Sequence, residues 1–182
     1  MFPLVLDLSD RTVLVIGAGQ IGARKAAQLV AGGARVKVIA KEVLAKLPDG
    51  VESVHQRSYR SGDLNSVFLV VVATGDDLVN DQIVREARAK NVLVNVVDDP
   101  RRSNFYFTAI HRDGDVIVSV SSSGASPALA QWVRDRAVSG LPDNLAEVAR
   151  RLKEERASLH ERAESTEQRN WTERVEQLVN EL

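Results

Sequence analysis

Residues 13–25 read VLVIGAGQIGARK: a β-branched apolar run, the spacing Gly17-x-Gly19-x-x-Gly22, and a helix-forming stretch. No other feature narrows the possible folds so far, because each glycine has a separate physical task. Gly17 lets the chain turn sharply off a strand. Gly19 leaves room for a pyrophosphate to approach the backbone, and Gly22 lets the next helix pack close on the sheet. The pyrophosphate would meet the free N–H groups that open the helix, beginning at Gln20 and Ile21, where the dipole favours negative charge. The pattern predicts a dinucleotide site.

The chain has 182 residues, 44% of them hydrophobic. That is enough for one domain of about 100–150 residues with a real core, plus an appendage. Lys+Arg (24) and Asp+Glu (25) nearly cancel, which leaves no global electrostatic case for nucleic acid or a membrane surface. Without cysteine there is no disulfide, thiolate metal site or iron–sulfur cluster. The three histidines show no metal-ligand spacing, so no metal site is expected. No apolar run reaches about 18 residues and the start lacks a basic leader, so a soluble, cytoplasmic protein is expected.

Strands and helices alternate along the first half. Strands are predicted at Val13–Ile16, Val36–Ala40, Val67–Ala73 and Val92–Val97, with weaker candidates at Val51–Val54 and Gln56–Tyr59. Helices are predicted over Ile21–Ala31 and Asn80–Lys90. The fold class is α/β, a Rossmann-type doubly wound parallel sheet over residues 1–110. After Asp98 the pattern changes: strands over Phe105–Ile110 and Val116–Val120, a helix over Pro127–Val138, then a charged, helical stretch from Asn144. This predicts a small α+β segment over 111–145 and a helical region over 146–182.

Ligands of open α/β sheets bind at the carboxyl ends of the strands, which singles out three segments. The small residues Ala73 and Thr74 would let a cofactor lie on the backbone, with Asp76 or Asp77 suited to cap the next helix. In Asn95–Pro100 a carboxylate at a strand's end is placed as a general base. Asp98 and Asp99 point in different directions if the strand persists that far, so one of them is expected to face the cleft, and spacing alone weighs capping of the turn before Pro100 evenly against that role. Ser121, Ser122 and Ser123 lead towards a helix capped by Ser126 with Pro127 in its first turn, a cradle suited to carboxylate or phosphate. Arg101, Arg102 and Arg112 are candidate carboxylate partners.

Four motifs in order, FPLVLDLSDRTVLVIGAGQIGARK (2–25), VVATGDDLVNDQI (71–83), NVVDDP (95–100) and VSVSSSGASPALAQWVRDR (118–136), resemble the precorrin-2 dehydrogenase family. The family includes the N-terminal module of siroheme synthases, and some members are also sirohydrochlorin ferrochelatases. The resemblance implies NAD as cofactor, held by Gly17, Gly19, Gln20, Ile21, Gly22, Lys41, Ala73 and Thr74. It implies precorrin-2 as substrate, oxidised to sirohydrochlorin for siroheme or cobalamin, with Fe²⁺ a further substrate where chelation occurs. It puts the proton acceptor on Asp98 and the tetrapyrrole side at Ser121, Ser122, Ser123 and Arg112. Ser122 aligns with a serine phosphorylated in some siroheme synthases. A homodimer through residues of about 110–145 is implied as well.

The chain departs from the family pattern at Ser123, where a second glycine is usual, and at Thr108, where proline is frequent. Strand two ends Ala40-Lys41-Glu42 without a clean acidic residue for the adenosine ribose. The competing reading is a non-catalytic, NAD(H)-sensing regulatory module. An NADP-dependent carbonyl reductase ranks below both, for want of a Tyr/Lys pair or a His base near the switch point.

Overall fold

Runs such as Val70–Val72 have no polar side to turn to water, so they are stable only as strands covered on both faces. The computed structural model describes residues 1–167 and 169–181. The chain divides into two units, 1–106 and 107–182. In the first, β1 (Thr12–Ala18), β2 (Arg35–Val43), β3 (Val51–Gln56), β4 (Leu69–Val72) and β5 (Leu93–Val96) form one sheet in the order β3-β2-β1-β4-β5. All its pairings are parallel, giving the expected Rossmann-like sheet. Val13, Val15, Val36, Val38, Val70 and Val71 are wholly shielded from solvent. Strand order reverses between β1 and β4, which makes the crevice beyond their carboxyl ends the switch point.

Helix α1 (Gln20–Ala31) buries Gly22, Ala23, Ala26 and Leu29, and α2 (Asp77–Ala89) buries Asn80, Ile83, Val84 and Ala87. These are helical spacings facing the core, and a fully buried Ile83 contributes about 1.5–3 kcal/mol. Asp76 caps α2, its carboxylate accepting the Val79 N–H at 3.2 Å, so the helix starts three residues ahead of the apolar stripe.

Several boundaries differ from the sequence expectation, and three bear on the sheet edges and the site. β2 continues past Ala40 to Val43, because the register shift at Gly17 lets Ala18 pair with Val43. Around His55 the first weak candidate extends to Gln56 as the edge strand β3, while residues 57–59 of the second candidate are not strand. The strand expected from Phe105 begins only at Ala109, because residues 103–105 cover the open edge of β5. There the Asn104 side chain accepts from Val94 N–H (2.8 Å), the Ser103 hydroxyl accepts from Val96 N–H (3.0 Å), and the Asn95 side chain donates to the Phe105 carbonyl (3.0 Å). An uncovered edge strand would invite pairing with other chains.

The second unit holds the antiparallel hairpin β6 (Ala109–Asp113) and β7 (Val116–Val120), then α3 (Pro127–Val138), α4 (Leu145–Glu161) and α5 (Trp171–Glu181). The segments expected over 111–145 and 146–182 both lie in this unit. The Asp113 carboxylate accepts the Ala146 N–H at 3.0 Å and so caps α4, whose own Asn144 makes no side-chain cap. Helices α4 and α5 bury Val148, Leu159 and Leu178, and Arg174 grips Glu155 at 2.6 Å. No helix among the described residues is long and apolar enough to cross a membrane.

Candidate functional site

The glycine turn comes first. Gly17 has φ +104, and a Cβ there would overlap the Ala73 carbonyl at the end of β4. A Cβ on Gly22 would overlap the Gly17 carbonyl. Both glycines are therefore required by close backbone approach. Gly19 differs: a Cβ there would meet nothing within 4 Å. Its missing side chain leaves open space over the first turn of α1, which has no side-chain cap and no acidic residue. The amides opening that turn, including those of Gln20 and Ile21, lack intrahelical acceptors. A pyrophosphate fits these features: open space, unpaired donors and the positive end of a helix.

Beside this turn stands the end of β4. The Thr74 hydroxyl donates to Asn80 Oδ1 at 2.5 Å, and the Asn80 amide donates back to the Thr74 carbonyl at 3.3 Å. The Asp76 N–H donates to the Thr74 hydroxyl at 3.2 Å. Asn80 is only 4% exposed. It braces the Ala73–Thr74 loop from inside α2, a role the sequence reading missed. The available signal was a polar residue on the same stripe as Ile83, Val84 and Ala87. On the other side of β1, Lys41 of β2 is exposed, with its ammonium 4.0 Å from the Asp76 carboxylate.

Geometry separates Asp98 from Asp99. Asp99 turns inward and caps the short 3₁₀ turn Pro100–Arg102, accepting the N–H groups of Arg101 and Arg102 at 3.0 and 3.3 Å. Arg102 pairs with Asp77 (2.7 Å), Asp81 (2.9 Å) and Asp99 (3.4 Å). Arg102 and both acidic residues at the start of α2 thus belong to the scaffold. Asp98 is exposed, has φ +60 and makes no side-chain hydrogen bond among the described residues. Aspartate enters the left-handed region more readily than most side chains, and non-glycine residues held there recur at functional sites. Because Val72 pairs with Val96, Asp98 follows β5 by as many residues as Thr74 follows β4.

The serine loop, in the second unit, is largely self-contained. The Ser122 hydroxyl donates to the Ser126 carbonyl (2.8 Å) and accepts its N–H (3.1 Å), while the Ser121 hydroxyl accepts the Ser123 N–H (3.1 Å). Ser126 caps α3 through the Leu129 N–H at 3.2 Å, as expected. Only the Ser123 hydroxyl, among these four, carries no bond within the described residues. Ser123 sits at φ +54 and Gly124 at φ +85, which accounts for a glycine preference at both positions. Thr108, where proline is frequent, accepts the Ser119 hydroxyl at 2.7 Å. Arg112 pairs with Ile117 near the hairpin turn, whereas the serine loop follows Val120, paired with Ala109 at the opposite end. Three strand residues separate the two, about 10 Å. The hairpin does not bring Arg112 to the serines.

Residues 4–109 match the family described as "Putative NAD(P)-binding". The siroheme synthase of Photorhabdus laumondii is 34% identical over 171 residues, covering 92% of this chain and 36% of its own length. That of Ectopseudomonas mendocina is 40% identical over 149 residues, 81% of this chain and 32% of its own. The chain thus spans about a third of the length of the curated relatives it matches. A solved structure, "SirC, precorrin-2 dehydrogenase", superposes with a TM-score of 0.71 at 26% identity, covering 100% of this chain and 88% of that one.

Proposed function

The chain belongs to this NAD(P)-binding family, and on that premise we propose that it oxidises precorrin-2 to sirohydrochlorin, with NAD⁺ as acceptor, in cytoplasmic siroheme biosynthesis. The observation that carries the reading is the free, left-handed Asp98 at the carboxyl edge of β5, in a chain whose whole length resembles a precorrin-2 dehydrogenase.

The substrate loses a hydride and a proton. When bound, the oxidised cofactor supplies the hydride acceptor. The amides opening α1 would hold its diphosphate, with Gly19 leaving the room. Ala73 and Thr74, braced by Asn80, would back its ribose and nicotinamide side. Asp98 would accept the proton, since its carboxylate has no competing hydrogen bond. Lys41 would lie by the adenosine ribose, and the Asp76 carboxylate 4.0 Å from its ammonium offsets the attraction it would offer a 2′-phosphate, in keeping with NAD as the acceptor. On the tetrapyrrole side, the Ser123 hydroxyl, with no bond among the described residues, is the serine left to meet a carboxylate, and Arg112, about 10 Å along the hairpin, would meet a different one. The same Asp98 would take pyrrole protons when Fe²⁺ enters as a second substrate. The exposed apolar residues Leu129, Trp132 and Val133 of α3 support pairing with a second copy.

The test is an anaerobic assay of the purified protein with precorrin-2 and NAD⁺, followed by addition of Fe²⁺. NADH formation in step with the sirohydrochlorin spectrum is the expected result, and the Fe²⁺ step reads chelation separately. NAD⁺ binding with no turnover, and NADP⁺ equally silent, would favour the regulatory module.

A further inference from the structure

One titratable group beside the cofactor crevice has no part in the reaction as described. Lys25 lies on α1, three residues after Gly22, at the border of the buried stripe Gly22–Ala26–Leu29, and is itself half-buried. Helical side chains lean towards the helix N-terminus, here the carboxyl edge of the sheet. A lysine stem covers about 6 Å, roughly one helical turn of 5.4 Å. The face of α1 at Gly22 lies against β4, where a Cβ would stand 3.6 Å from that of Ala73. The register of β4 with β5 brings Asp98 to the same edge.

On this geometry, and resting on the dehydrogenase reading above, we propose that Lys25 is the positioning residue for Asp98, its ammonium steadying the carboxylate that accepts the substrate proton. Asp98 needs such a partner, because it has no hydrogen bond to orient it.

The surrounding charges are consistent with this pairing. Burial draws Lys25 down to about 8, the Arg24 charge adds to the effect, and the Asp98 carboxylate opposes it. Of the strands against which α1 packs, β1 and β4 carry no charged residue. β2 carries Arg35, Lys37, Lys41 and Glu42, none of which is among the charges acting on Lys25. The Lys25 ammonium also donates to the neutral Gln28 side chain at 3.4 Å. Burial and the Arg24 charge thus weigh against the ammonium, and the Asp98 carboxylate beyond β5 favours it.

The decisive experiment needs neither cofactor nor substrate. Lysines are converted to ¹³C-dimethyl-lysine and titrated by NMR in the wild type and in Asp98→Asn, with the Lys25 signal identified from its loss in Lys25→Arg. Asparagine tolerates the left-handed conformation, so Asp98→Asn should retain the fold. The Lys25 midpoint is expected to move lower in Asp98→Asn; an unchanged midpoint would overturn the pairing. Kinetics then separate positioning from bulk. Lys25→Met should lower kcat by about tenfold to a hundredfold with NAD⁺ affinity unchanged. Lys25→Arg should restore kcat and abolish the alkaline fall in activity near pH 8. A wild-type profile identical to that of Lys25→Arg would also overturn the proposal. Absence of turnover in the wild type would instead overturn the dehydrogenase reading, leaving the NMR result to stand.

Discussion

The two units solve the problem of burial differently. In the first, five parallel strands carry apolar side chains on both faces, and helices and loops cover them within the unit. In the second, a two-stranded hairpin and three helices bury fewer large residues, while Trp132 remains 61% and Leu129 50% exposed. A two-stranded hairpin is marginal by itself and needs a packed face. The first unit can therefore afford strained turns and a free carboxylate at its edge, because its stability lies elsewhere. The second leaves an apolar helix face uncovered, which fits the proposed pairing of two copies.

The contrast can be tested from the strongest effect downwards. If chemistry belongs to the first unit's edge, Asp98→Asn should lower NADH formation by about 10²–10⁴-fold while NAD⁺ binding persists, measured by kinetics and calorimetry. Near-normal turnover would remove Asp98 from the mechanism. Leu69→Ala, in the sealed core, should cost about 2–5 kcal/mol in denaturant unfolding. Trp132→Ala should cost under about 0.5 kcal/mol within one chain yet shift sedimentation towards monomer. Equal costs for the two would erase the contrast.

Next come the glycines, which differ within a single turn. Gly22→Ala forces a Cβ onto a carbonyl and should destabilise by about 1–3 kcal/mol. Gly19→Val points into open space, so it should leave the melting temperature nearly unchanged and abolish NAD⁺ binding. In the second unit Ser123→Gly should raise stability by about 1 kcal/mol, relieving a left-handed residue. The smallest effect is acid sensitivity in α4. The Arg150 and Arg151 guanidinium groups hold Glu147 down at about 2, against an ordinary 4.5. A carboxylate lowered in the folded state stabilises above the unfolded value and loses that contribution as pH falls through the folded one. Helical circular dichroism should therefore weaken slightly between pH 4.5 and 2, and Glu147→Gln should remove that dependence.

Much of this was legible locally. Asp76 and Ser126 were readable as helix caps, and α3 has the bounds its sequence predicts. The glycine spacing announced its turn because each glycine answers to backbone geometry within a few residues. Asn80 was less legible, since a polar residue on an apolar stripe declares a buried partner without naming it. The serine loop misled in part. Its hydroxyls suggested a cradle for anions, and two of the three close the loop on itself. Nearness in sequence did not put Arg112 beside the serines, because an antiparallel hairpin carries residues about 10 Å apart within three strand positions.

The sequence by itself determined the parallel sheet, the glycine turn and the helix caps, because periodicity, backbone freedom and capping act within one or two turns of chain. Only the tertiary structure decided that Asp99 is tied into the scaffold while Asp98 makes no side-chain hydrogen bond among the described residues, and that Asn80 braces Thr74. Those outcomes depend on the register of strands distant along the chain and on burial summed over several elements. No short stretch of sequence contains either quantity.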